Sequence, residues 1–358
     1  MTPRRALMLV SDRVDERKRS LAASGGRPLP EYLVLEREYG VDLLDWSQLP
    51  GGGVARSGVR SLQHVLAALR RAGRYDVLLS DGEHIGIPLA LAKRALDLRV
   101  EHVVIGHHLT TPRKARAFKV LRAQLGMSAL VVHSPRQAEL ARSRLRVPGS
   151  LLLEVPYGVD PEFWRPQARA EEPLIVAAGR EHRDYSTLAA ACADLPAEVF
   201  IAGGSPFSPG STWSAPATWP DNFGCRRVDY SELREMYARA QVVVIPVLET
   251  DFQAGITSVL EAMAMGKAVV TTRTRGRQPV VRDGDTGLLV APGDARALRA
   301  AVARLLREPG ERSRLGANAR RAVLDGLSVQ EYARGLAWAL GLDRKGLQAA
   351  LPASLSTR

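Results

Sequence analysis

Short apolar runs alternate with helix-patterned segments along almost the whole chain, and this rhythm limits the fold more than any other feature. Runs of four to seven apolar residues between helical stretches are the signature of βαβ units, in which a parallel sheet is buried on both faces. In the first half the strands are predicted at 6–10, 77–80, 103–105, 129–132 and 151–155, with helices at 30–39, 61–72, 87–97 and 136–145. The rhythm breaks at Val155-Pro-Tyr-Gly-Val-Asp-Pro-Glu-Phe-Trp-Arg-Pro166, and 167–172 is polar and without period. It restarts with strands at 174–178, 198–202, 241–246, 268–271 and 287–290 and helices at 186–194, 231–239, 257–265 and 295–307. The expected organisation is two α/β doubly wound domains, 1–166 and 167–328. A helix at 329–342 and a frayed tail complete 329–358 and can cross back to the first domain. The stretch 203–224 is long, irregular and Gly/Pro-rich, so it is expected on the surface beside the site.

Composition removes several classes. At 46% hydrophobic residues over 358 positions there is ample material for packed cores. No run of 18 apolar residues occurs, so no membrane-spanning helix is expected, and the N-terminal apolar run lacks a signal-peptide cleavage site. The two cysteines, Cys192 and Cys225, cannot build a disulfide framework or a zinc cluster, which fits a reducing cytoplasm. Net charge is +12, and residues 1–165 carry 26 Lys/Arg against 17 Asp/Glu. A positive field of this kind attracts phosphates, nucleic acid or an anionic membrane surface alike. No nucleic-acid motif or aromatic platform accompanies it, so nucleic acid is not expected as a partner. The fingerprints GxGxxG and GxxxxGK[ST] are missing, which disfavours an NAD enzyme and a P-loop NTPase.

Two segments in the second half point to a phosphate-bearing ligand. In Thr250-Asp-Phe-Gln-Ala-Gly-Ile-Thr-Ser-Val-Leu-Glu261 a glycine precedes a helix whose first N–H groups suit a phosphate, and Glu261 lies one turn in, placed to bind a ribose diol. In Leu174-Ile-Val-Ala-Ala-Gly-Arg-Glu-His-Arg183 a buried strand empties into Gly179 and Arg180, where open α/β sheets bind ligands. Arg180 and Arg183 are candidates to pair with a diphosphate.

Taken together, AGRxxRDYxTL, YxxAxVVVIPxxETDFQAGITSVLEAMAMGKAVV and Val281-Arg-Asp-Gly-Asp-Thr-Gly-Leu-Leu-Val290 resemble the retaining nucleotide-sugar glycosyltransferases of family 4. The resemblance implies the GT-B fold, two Rossmann-like domains facing across a cleft, with a nucleoside-diphosphate sugar (UDP or GDP favoured) and an acceptor hydroxyl as substrates. It implies donor binding by Gly179, Arg180, Arg183, Gln253, Ala254, Gly255, Ile256, Thr257 and Glu261, with Arg180 and Arg183 stabilising the leaving diphosphate. The family's Glu-x7-Glu pair reads here as Gln253-x7-Glu261, so the first carboxylate is absent. His107 or His108, after a first-domain strand, would touch the donor sugar, with His107 favoured, and Gly25-Gly26 would form the loop met by phosphate and acceptor. Neither a metal nor a cofactor is expected, because Asp283-Gly-Asp285 reads as a turn. A sugar-nucleotide epimerase and a non-catalytic sugar-nucleotide binder are the rival readings. The basic segment 113–125, with Phe118, Leu121 and Leu125 at helical spacing, either lies on an anionic membrane, as a first-domain basic helix does in family members that glycosylate lipids, or packs in its own domain. The cytoplasm, or the inner face of a bacterial membrane, is the expected location.

Overall fold

The computed structural model describes residues 4–53, 57–203, 216–276 and 280–343. Contacts divide the chain into two units, one of residues up to 24, 29–156 and from 329, the other of 25–28 and 157–328.

The first unit is built on a six-stranded parallel sheet in the order β2-β1-β3-β4-β5-β6. Its strands are β1 (Ala6–Leu9), β2 (Asp42–Leu44), β3 (Val77–Ser80), β4 (Glu101–Ile105), β5 (Ala129–Val132) and β6 (Leu152–Glu154). The helices are α1 (Glu16–Ala23), α2 (Glu31–Tyr39), α3 (Ser57–Arg71), α4 (Glu83–Ala95), α5 (Pro112–Lys119) and α6 (Pro135–Leu145). β1, β3 and β5 are buried at every position, the all-apolar signature of strands covered on both faces. One face packs Met8, Leu79, Val103 and Val131 against α2 and the late helix α12 (Val329–Ala339), and the other packs Val104, Leu130 and Val132 against Phe118 and α6.

The second unit has its own six-stranded parallel sheet, ordered β12-β11-β10-β7-β8-β9. It comprises β7 (Glu172–Ala178), β8 (Glu198–Ala202), β9 (Phe223–Arg226), β10 (Ala240–Ile245), β11 (Val269–Thr272) and β12 (Leu288–Val290). Between them run α7 (Tyr185–Cys192), α8 (Tyr230–Arg239), α9 (Ile256–Ala264), α10 (Ala295–Arg307) and α11 (Pro309–Leu324). Read from β7 onward, the order is that of a Rossmann domain, and its direction of winding reverses between β7 and β10. In the first unit the reversal falls between β1 and β3. Ligands of open α/β sheets bind at the carboxyl ends of the strands flanking such a point.

Several local expectations are corrected. Segment 113–125 is not one helix. α5 ends at Lys119, Arg122 takes a left-handed conformation (φ 53°), and a 3₁₀ turn follows over Ala123–Gly126. Phe118 is buried there, while Leu121 and Leu125 are 52% and 53% exposed, so the three do not share a face. β2, α1 and α11 lack a strong apolar period and emerge only in the structure, and β9 uses the last residues of the irregular stretch 203–224. Of that stretch, 204–215 lies outside the described residues, as does the tail after 343. Among the described residues no helix is long and apolar enough to cross a membrane, and Cys192 and Cys225 are both free thiols.

Candidate functional site

In the second unit, the turn after β7 crosses the winding reversal and is fastened to the chain beyond β10. Arg183 pairs with Val247 as an antiparallel bridge, Leu248 N donates to His182 O at 2.9 Å, and Asp184 N to Pro246 O at 3.0 Å. Gly179 makes the turn possible at φ +98°, a conformation closed to most side chains, and the Tyr185 hydroxyl donates to its carbonyl at 2.6 Å. The Arg183 guanidinium is buried under this turn. Its Nε donates to Ala178 O at 2.7 Å, Nη1 to Glu181 O at 2.6 Å and Nη2 to Ser258 Oγ at 3.4 Å. Arg180 is half-buried and lies on the β9 side, where its charge acts on Cys225.

Gly255, at φ +81°, opens α9 with no side-chain cap. The helix therefore begins with main-chain N–H groups and the positive end of its dipole, next to the Arg183 charge. Ile256 is buried, Thr257 exposed, and Gln253 and Ala254 half-buried. Gln253, Ala254, Ile256 and Val259 line a recess with Thr272 and Thr274. Glu261 is 6% exposed one turn into α9. Burial pushes its carboxyl up to about 8, and the facing Arg183 charge only partly offsets that. The Tyr237 phenol, fully buried, faces the same carboxyl. Gly179, Arg183, Gly255 and Glu261 thus form one constellation, with a fixed positive charge, uncapped amides and a buried acid. The acidic pair Asp283 and Asp285 sits in a turn, with Asp283 on Arg273 at 2.8 Å and Asp285 on Arg282 at 2.7 Å.

In the first unit, a second cluster lies at the carboxyl ends of β1, β3 and β4. Ser11, after β1, donates its main-chain N–H to Asp81 Oδ2 and its hydroxyl to Oδ1 at 2.7 Å, so one carboxylate bridges the winding reversal. Exposed His84 lies with Nε2 2.7 Å from the same hydroxyl. Burial, opposed by the Ser11 bonds and His107, moves the Asp81 carboxyl up to about 7. Burial also raises Glu31, in the first turn of α2, where His107 and Asp12 face it.

His107 Nε2 lies 2.8 Å from Asp81 O, and because a carbonyl only accepts, that nitrogen carries the proton. The ring lies 5.5 Å from that of His133, which burial pushes down to about 3. His108 joins through its main chain, donating to Glu83 Oε1 at 2.9 Å. Gly25 has φ +70° and no neighbour within 4 Å of an added Cβ, and residues 25–28 group with the second unit. Ser11, Glu31, Asp81, Glu83 and His84 are not among the residues that the sequence motifs single out. A usable signal was there: Asp81-Gly-Glu-His84 directly follows a predicted strand, in the position that had drawn attention to Gly179-Arg180.

Residues 172–308 match a family model described as Glycosyl transferases group 1. The MMP alpha-(1->4)-mannosyltransferase of Mycolicibacterium hassiacum is 39% identical over 103 residues, 28% of this chain and 24% of that one. The D-inositol 3-phosphate glycosyltransferase of Frankia alni is 42% identical over 88 residues, 25% and 21% of the two chains. The matched segment thus spans about a quarter or less of these curated relatives. In structure, sucrose-phosphate synthase from Thermosynechococcus elongatus superposes with a TM-score of 0.70 at 19% identity, covering 94% of this chain and 98% of that one. Anabaena HepE in complex with UDP and glucose gives 0.69 at 14%, covering 94% and 99%. The chain has the α/β GT-B fold of these proteins.

Proposed function

We propose that this chain is a glycosyltransferase that moves a sugar from a nucleoside-diphosphate sugar to an acceptor hydroxyl, with retention at the anomeric carbon and without a metal. The observation that carries the reading is the constellation at the winding reversal of the second unit, inside the segment that matches the glycosyltransferase model. Uncapped amides at the start of α9 and the charges of Arg180 and Arg183 suit a diphosphate, and Glu261 suits the ribose diol. As the sugar–phosphate bond breaks, its electron pair goes to the diphosphate, which takes up the acceptor's proton as the acceptor oxygen bonds the anomeric carbon. Stabilising that leaving group carries much of the rate, and one such donor is typically worth on the order of 10²–10³-fold. In the first unit His107 faces the donor sugar. UDP is the favoured nucleotide, in keeping with the UDP bound in HepE.

The reading extends to a cytoplasmic enzyme that meets an anionic membrane through the exposed Val120, Leu121 and Leu125 and the surrounding basic residues. One observation favours a non-catalytic sugar-nucleotide binder instead: Gln253 stands where the resembled family has a carboxylate.

Thermal unfolding with UDP, GDP, ADP, CDP and dTDP in turn tests the reading. A ligand at about 100 times its Kd adds roughly 2.7 kcal/mol. The expected result is that one nucleotide raises Tm and that Arg180→Ala abolishes the rise. If no nucleotide shifts the wild type, the donor assignment fails, and a shift without release of nucleoside diphosphate from the matching sugar nucleotide favours the binder.

A further inference from the structure

The turn that carries His107 and His108 is held through its main chain. Gly106 N donates to Val131 O at 2.9 Å. The carbonyls of Gly106 and His107 accept from Gln137 Nε2 at 3.3 and 2.6 Å. His107 N and His108 N donate to the two oxygens of Glu83 at 3.1 and 2.9 Å, and His108 O accepts from Lys114 Nζ at 3.0 Å. Every main-chain polar group from 106 to 108 is therefore engaged, by β5 on one strand edge and by side chains from α4, α5 and α6. Glu83 is the centre of this arrangement. It is 3% exposed, and its Oε1 also accepts from Lys114 Nζ at 2.5 Å.

Helix capping alone does not account for this, because the carboxylate, besides meeting its own amide at the start of α4, accepts from two consecutive amides of another loop. Nor is net stability a sufficient account. A buried ion pair loses in desolvation most of what it gains in attraction, and an apolar pair of similar volume is often as stable. What a buried carboxylate on two adjacent amides does provide is a fixed backbone, and here the fixed residue is one whose ring is itself tied to Asp81 O. Groups that act on a reacting bond need that support, since a displacement of about 1 Å costs on the order of 10²-fold in rate.

We propose that Glu83 is a positioning residue, holding the 106–108 turn so that the His107 imidazole meets the substrate in one orientation and as one tautomer, with the proton on Nε2. This rests on the reading of His107 as a group that faces the donor sugar. Glu83 itself touches no substrate.

The test uses the full chain with Glu83→Gln, which keeps size but replaces one acceptor oxygen by a donor that opposes an amide. A second variant, Gln137→Leu, loosens the same turn from another helix. Long-range ¹H–¹⁵N spectra of the histidine rings report the tautomer, and UDP release from UDP-glucose reports turnover. The wild type is expected to show His107 protonated at Nε2, and both variants to show tautomer mixing. For both, kcat should fall on the order of 10²-fold, KM for UDP-glucose should stay within about twofold, and the UDP-induced rise in Tm should be kept. A wild-type His107 signal in both variants overturns the proposal, as does a variant whose whole loss lies in KM. If the wild type neither binds nor cleaves UDP-glucose, the choice of that donor fails separately, and the tautomer spectra still decide the part played by Glu83.

Discussion

A side chain on Gly179 would occupy the space taken by the Arg183 guanidinium, whose Nη2 and Cζ lie against the position of an added Cβ. Since Gly179 also sits at φ +98°, Gly179→Ala has two penalties, backbone strain of about 1–3 kcal/mol and displacement of the buried charge. The expected outcome is a lowered Tm together with loss of the nucleotide-induced rise. Gly255→Ala is expected to act in the same direction, because its Cβ would fall 3.3 Å from Nη1 and 3.0 Å from Ile245 at φ +81°. Differential scanning fluorimetry with and without UDP checks both.

Glu261 predicts a pH dependence whose sign is fixed. Its folded value, about 8, lies above the ordinary 4.5, so the folded state holds the proton more tightly than the unfolded chain. The stability tied to that proton is fully present below about 4.5 and is lost as pH rises through about 8. Glu261→Gln stays neutral throughout. The wild type should therefore lose stability relative to this variant between pH 5 and 8, at up to about 1.4 kcal/mol per pH unit. Asp81 is raised in both proteins and cancels in the difference. Parallel Tm–pH curves for the two would refute the assignment.

Two glycines of α11 should respond oppositely to alanine. Gly316 meets the carbonyl of Gly266 where α11 crosses the end of α9, and a methyl there overlaps main-chain atoms that cannot step aside. Gly316→Ala is expected to cost roughly 1–3 kcal/mol. Gly310 has nothing within 4 Å but lies in the first turn of α11, so Gly310→Ala should stabilise slightly, by less than the roughly 0.5–1 kcal/mol of a helix interior. Urea denaturation of both variants provides the comparison.

The proposed contact with an anionic membrane makes its own prediction. Leu121→Asp with Leu125→Asp removes apolar surface that is already half exposed, so folding stability should change little. Binding to vesicles containing phosphatidylglycerol should weaken about 10-fold, and rising salt should weaken wild-type binding as well. Equal flotation of both proteins with these vesicles would place the contact elsewhere.

The architecture was legible because βαβ periodicity is written locally. A run such as Ala240–Ile245 is apolar at nearly every position only if both faces are covered, and that depends on no distant residue. Strand-end positions could be read in the same way, which is how Gly179 and Gly255 emerged as a turn and a helix start. Elements without a strong apolar period were missed. β2 is three residues long, and the break after Lys119 turns on one left-handed residue, Arg122, that no spacing announces.

What the sequence determined by itself was therefore the class of fold and the residues at strand ends, because periodicity and strand–helix junctions are properties of neighbours along the chain. What only the tertiary structure decided was which of those residues meet. Arg183 and Ser258 are 75 residues apart and Ser11 and Asp81 are 70 apart, and each pair is joined because strand order brings two loops across a winding reversal. The hydrogen bond between the His107 ring and the Asp81 carbonyl, and the burial that raises Glu261, belong to the same level. Orientation and dielectric environment are set by the atoms packed around a group, and those come from everywhere in the chain.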